Sequence, residues 1–248
     1  MVYSKAWRDL RGRFLLCVFV VSVAVLPQTI ISAVRGGQDV ARSPEDEAAW
    51  SEGGSGRIVI PDFQTEVRRW FEGREALLVV LAVVLAVGGT MTEANTRTNL
   101  LILSLPRPRR RWLQGQAIVV MGMVLALAAW VAVLMAGVGL AFGEPIPWNI
   151  LAPGIVTVTL GASIWIGPAL LGTAMTRESV KAGIVVFTLV LLAAIMDQSA
   201  VLKPWYPYRV GRLSVWSDGI PWRALAVALT MAFGGYLGAV RRFERADY

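Results

Sequence analysis

The side chains that carry covalent or metal chemistry are nearly missing from this chain. It has no histidine and one cysteine, Cys17. No Cys/His cluster at zinc spacing, no HExxH and no GxSxG occurs, so metal-assisted hydrolysis and acyl transfer lack their parts. The lysines are Lys5, Lys181 and Lys203, and none follows the glycines of a phosphate-binding loop. Chemistry by carboxylates alone needs two of them facing each other. Glu93 and Asp197 instead stand at the ends of separate apolar runs. The expectation is a protein that is not an enzyme, with no catalytic residue, metal site or cofactor of its own.

The elements available to position any site are membrane helices. The chain is 248 residues long and 56% hydrophobic, with a mean hydropathy of +0.58. About 20 apolar residues at 1.5 Å each cross the ~30 Å hydrocarbon layer. Six runs approach that length: 14–34, 76–92, 112–142, 150–176, 182–196 and 222–240. They are continuous rather than alternating, and a spanning segment must satisfy its own backbone, so the predicted class is all-α, polytopic, with six transmembrane helices. The first run is longer than a signal-peptide core and is kept as a span. Cys17 sits inside it, so no intrachain disulfide forms.

Arginine and lysine near helix ends set orientation. Lys5, Arg8, Arg11 and Arg13, then Arg97 and Arg107 to Arg111, then Arg177 and Lys181, then Arg241, Arg242 and Arg245 all fall on one side, taken as cytoplasmic with both termini. The connection between spans three and four carries Glu144 alone. In the loop 35–75 acids outnumber arginines, so it reads as extracytoplasmic. It holds a linker, Glu52 to Arg57, and then a short surface helix in PDFQTEVRRWFEGREAL. Residues 1–13 form an interfacial amphipathic helix on anionic lipid. Residues 197–221 form an outer cap in which Trp205, Tyr206, Tyr208 and Trp216, with Trp222 after it, are expected at headgroup depth as anchors.

The spans hold no Asp, Glu, Lys or Arg except Arg223 at the outer edge of the last. A carrier driven by an ion gradient needs ionisable groups at depth, so a secondary transporter is disfavoured. If the protein pumps, its motor is another chain. The stretch EANTRTNLLILSLPRPRRR, Glu93 to Arg111, lies on the cytoplasmic side between spans two and three. A helix from about Ala94 to Leu105, stopped by Pro106 and Pro108, makes a stiff lever there. Arg107, Arg109, Arg110 and Arg111 fix the entry of the next span.

That stretch resembles the inner loop of ABC-2-type (type V) exporter permeases, the membrane subunits of ATP-binding-cassette transporters. Their pattern has a glutamate, Gly-Thr four and five residues on, Leu-Ser-x-Pro, an arginine three residues after the proline, and Gly-Lys. Glu93, Thr98, Leu103, Ser104, Pro106, Arg109 and Gly115 fall on it, while Arg97 replaces the glycine and Gln116 the lysine. More loosely, the basic start, six spans and aromatic cap also fit.

The resemblance implies the exporter transmembrane fold and a coupling helix in which Glu93, Asn95, Thr96, Arg97, Thr98 and Asn99 contact an ATPase subunit. It also implies ATP and Mg on that partner, with two ATPases serving two permeases, the second a copy or a homologue. The loop Met175 to Gly183 makes a minor ATPase contact through Arg177 and Glu178, or is a plain tight turn. Trp130 and Trp165, deep in their spans, line a path for an amphipathic or lipidic substrate, or are buried packing. Pro168 kinks span four, and the glycines of spans four and six bring backbones close. The expected partners are the ATPase, a second permease and lipid, not nucleic acid, in a plasma or inner membrane. From another class, a non-transporting scaffold that recruits a cytosolic partner fits the same arginines.

Overall fold

The computed structural model of the chain describes residues 2–39, 63–73, 75–94, 109–176, 179–217 and 219–245. They form nine α-helices and two 3₁₀ turns, with no strand among them: α1 Val2–Asp39, α2 Phe63–Gly73, α3 Glu75–Ala94, α4 Arg109–Phe142, α5 Trp148–Ser163, α6 Ile166–Thr176, α7 Ser179–Met196, α8 Leu213–Ser217 and α9 Trp222–Arg245. Four stretches are long and apolar enough to cross a membrane: Leu10–Val34, Arg110–Phe142, Trp148–Thr176 and Trp222–Arg245. Ala76–Gly88 and Val180–Met196 are shorter apolar helices. The molecule is an all-α membrane protein.

The burial pattern follows from how many neighbours each helix has. On α7 only the stripe Ala182, Val186, Val190 and Ala193 is buried, while Ile184, Phe187, Leu191 and Ile195 are exposed as a lipid-facing side would be. On α4 the buried set Val120, Met123, Leu127, Val131, Met135 and Val138 repeats at three and four residues, and α1 is the main neighbour of this helix. By contrast α3 is buried nearly all round, from Leu78 and Val79 to Ala86 and Val87, with Val84 facing out. It touches α1, α2, α4, α5, α6 and α7 and is the central strut of the bundle.

Two ends are distinguishable. The Arg13 side chain lies across Gly88, and Trp112 packs on Phe243 with ring centroids 5.7 Å apart. These contacts gather the start of α1, the end of α3, the start of α4 and the end of α9 at one end. At the other, α4 stops where Gly143 takes φ +74° and the Glu144 N–H returns to the Gly139 carbonyl at 2.8 Å, a glycine C-cap. The amphipathic α2 covers this end with Phe63, Val67, Trp70 and Phe71 buried and Arg68 and Arg69 exposed. That is the short helix expected after the linker.

Three places show more than the sequence does, and at the last of them the expectation changes. Residues 2–13 are continuous with the first span: α1 runs unbroken for 38 residues, about 57 Å at 1.5 Å per residue. Span four, Trp148–Thr176, carries the disturbance expected of Pro168. It is interrupted at Ile164–Trp165, where the Trp165 N–H bonds back to Ala162 at 3.2 Å and regular bonding resumes with Ala169 to Trp165 at 3.0 Å. The cause is Pro168, which has no N–H to give the Ile164 carbonyl, so the ladder fails one turn before the proline. Finally, Tyr206 and Tyr208 do not anchor the cap at the surface. They are 5% and 2% exposed, and Tyr208 stacks on Trp165 at 5.3 Å between centroids.

The cap therefore dives into the bundle. Gly211 meets Gly161 of α5 backbone to backbone, and the Trp216 indole N–H donates to the Val210 carbonyl at 2.9 Å. Arg212 pairs with Asp197 at 3.0 Å, joining the cap to the end of α7. Trp205 and Trp222 stay exposed, with the Arg223 guanidinium 5.7 Å from the Trp205 ring centre.

Candidate functional site

The break in span four is the local departure that organises the middle of the molecule. Below it α6 and α9 cross with no side chain between their backbones. A Cβ on Gly167 would overlap the Ala232 carbonyl, and one on Gly235 would lie 2.5 Å from the Gly167 carbonyl carbon. Beside this locked pair a groove of about 220 Å³ opens against α4, walled by Ile118, Met121, Ser163, Ile166, Phe233 and Tyr236 among others. Ile118, Met121 and Phe233 are 49%, 48% and 62% exposed, so the groove opens sideways out of the bundle.

Polar groups around it are unusual for this protein. Ser22, Thr29, Thr157, Thr173, Thr176, Thr188 and Thr230 each donate to a carbonyl three or four residues back on their own helix. Ser163 Oγ, Thr159 Oγ1, Trp165 Nε1, Tyr236 Oη and both amide atoms of Gln116 are buried and find no hydrogen-bond partner among the described residues. A buried polar group left so costs about 1–3 kcal/mol. Two of these residues, Ser163 and Tyr236, line the groove, and leaving both of their oxygens so is a large concession.

Of the residues singled out from the sequence, Glu93 lies in the last turn of α3; its side chain, and Asn95, Thr96, Arg97, Thr98 and Asn99, lie outside the described residues. So do Arg177, Glu178, the linker Glu52 to Arg57 and the expected lever helix through Leu105. Trp130 and Trp165 are not brought together, and neither is among the residues that line the groove. The Trp130 indole donates to Ser22 Oγ at 3.0 Å, tying α4 to α1. Trp165 is fully buried in the break under Tyr208.

Compared with known proteins, the chain matches no family model, no curated protein and no solved structure.

Tyr236, Ser163 and Gln116 were not candidates on sequence, although a signal existed. Tyr236 is the one tyrosine inside a predicted span, and an isolated hydroxyl there needs a partner. The Trp130 bond contributes little, because Ser22 keeps its own bond to the Val18 carbonyl at 2.8 Å. Interhelical hydrogen bonds in membranes average about 0.6 kcal/mol. Trp130→Phe is expected to lower the melting temperature of the purified protein by only a degree or two, and a loss of ten degrees would assign Trp130 a larger part.

Proposed function

We propose that this chain is the membrane-spanning permease subunit of an ATP-driven exporter of lipidic or amphipathic cargo, worked by separate ATP-binding subunits. Six crossings are counted as the four long helices plus α3 and α7, whose 20 and 18 residues reach about 30 and 27 Å. One observation carries the reading. The helix that ends at the motif glutamate, Glu93, is the central strut, in contact with α1, α2, α4, α5, α6 and α7.

A push delivered at the Glu93 end would therefore reach most of the bundle at once. A packed interior passes displacement on instead of absorbing it. ATP binding on the partner would close the ATPase pair, move this strut through the coupling segment 93–99, and shift the bundle between two arrangements. The lack of ionisable groups in the spans fits a motor on another polypeptide.

The test is purification from native membranes. The expected result is a stoichiometric companion carrying a phosphate-binding loop, with transport stopped by vanadate and untouched by ionophores. Glu93→Ala should leave the complex assembled but uncouple hydrolysis from transport. A preparation holding some other cytosolic partner and no nucleotide hydrolase would replace this reading with the scaffold one.

A further inference from the structure

We propose that the seam between α4 and the α6–α9 pair is a binding site for a neutral amphipathic molecule, its chain in the groove and its one uncharged polar group on Ser163 and Tyr236. This rests on the permease reading and gives its cargo a seat and a chemical class.

The walls select the occupant. Ile118, Met121, Ile166 and Phe233 offer only carbon and sulfur surface, which suits a hydrocarbon chain and cannot hold a cluster of waters, since each water needs two to four polar partners. Among the described residues none that lines the groove is charged, so a charged group would sit there uncompensated in a low-dielectric layer. Two hydroxyls remain, and both can donate to or accept from a hydroxyl or carbonyl of the ligand. Ser163 lies 13 residues before the end of α6 at Thr176, about 20 Å along the helix axis. This is the depth of acyl chains, out of reach of a resident headgroup.

In the arrangement described, the two oxygens are shut behind the groove wall, and the break supplies the motion that exposes them. α6 and α9 are locked at Gly167 and Gly235, so they move as one body. The weakest link between that body and α5 is Ile164–Trp165, where Pro168 has removed a backbone bond. A swing there parts α6 and α9 from α4 and uncovers Ser163 and Tyr236 together. The seam keeps hydroxyls unpaired in one state because the ligand pairs them in the other.

The test uses the full chain, Cys17→Ala, in phosphatidylcholine nanodiscs, with single cysteines at Ser163 or, two turns earlier on α5, at Thr157. Thr157 is also buried but is bonded to the Gly154 carbonyl. The Ser163→Cys thiol should react with the small uncharged reagent N-ethylmaleimide about 10-fold faster than the Thr157→Cys thiol. Adding 1-dodecanol should at least halve the Ser163→Cys rate, with dodecane protecting much less. If Ser163→Cys does not fold, Tyr236→Cys, on the α9 side of the same groove, takes its place.

Equal rates at the two positions would show that the seam stays shut. No protection by dodecanol, or equal protection by dodecane, would show that it takes up water or bare hydrocarbon instead. Any of these overturns the proposal. The measurement needs no ATPase, so failure to find the hydrolase leaves this result standing, and the reverse holds as well.

Discussion

Gly235→Ala is expected to cost the fold about 2–3 kcal/mol, the upper range for forcing extra volume into a packed interior, while Gly234→Ala next to it costs nothing. On helix propensity alone both changes would help, by about 1 kcal/mol each. Packing reverses the sign at one of them. A methyl on Gly235 would stand 2.5 Å from the Gly167 carbonyl carbon and 2.6 Å from the Pro168 nitrogen. These are backbone atoms that no rotamer change can move, and the proline ring stiffens them further.

The crossing would have to widen, and in lipid the close contact itself holds helices together, because no hydrophobic force favours one apolar neighbour over another. A methyl on Gly234 meets nothing within 4 Å. Thermal unfolding of the two purified variants, followed by size-exclusion chromatography, should separate them clearly. Matching curves would falsify the backbone lock, and with it the claim that α6 and α9 move together.

The second large effect is expected at Phe71. This ring is fully buried, packs edge-on against Trp70 at 5.5 Å, and lies where a side chain on Gly154 of α5 would be, 2.7 Å from a Cβ built there. Glycine at 154 is what lets α2 seat at this depth. Phe→Ala in a core costs about 3–5 kcal/mol. α2 is a short amphipathic helix with an exposed polar face, so its docking does draw on the hydrophobic effect, unlike contacts between spans.

Phe71→Ala should undock α2 before the spans unfold, exposing the segment 63–73 to protease while the membrane helices survive. Arg69→Ala, on the exposed face of the same helix, is the control and should behave as the parent. If Phe71→Ala leaves both the melting curve and the protease pattern unchanged, α2 is not held as described.

Much of this architecture could be read from the chain. Helicity follows from continuous apolar runs, because a segment in hydrocarbon has no other way to satisfy its backbone. The short helix α2 shows in the spacing of Phe63, Val67, Trp70 and Phe71 around charged residues. Pro168 announced a disturbance in span four, and the glycines there announced close approach. The sequence has no histidine, no phosphate loop and no charged residue in its apolar runs except Arg223, which is why hydrolysis on this chain and ion-gradient transport are not the expectation.

The remainder depended on which faces meet. Tyr206 and Tyr208 have the composition of interfacial anchors, yet they are buried because Gly161 and Gly211 let the cap descend to Trp165. Gly234 and Gly235 are identical in sequence terms, and only the partner helix tells them apart. Ser163 and Tyr236 lie far apart along the chain and share a groove where α6 packs on α9. Apolar character is a property of each residue and its transfer into lipid, so the chain alone set that its long apolar runs are helices. Contact is a property of pairs distant in sequence, and pairing among equally greasy faces is decided by shape, which exists only once the bundle has formed.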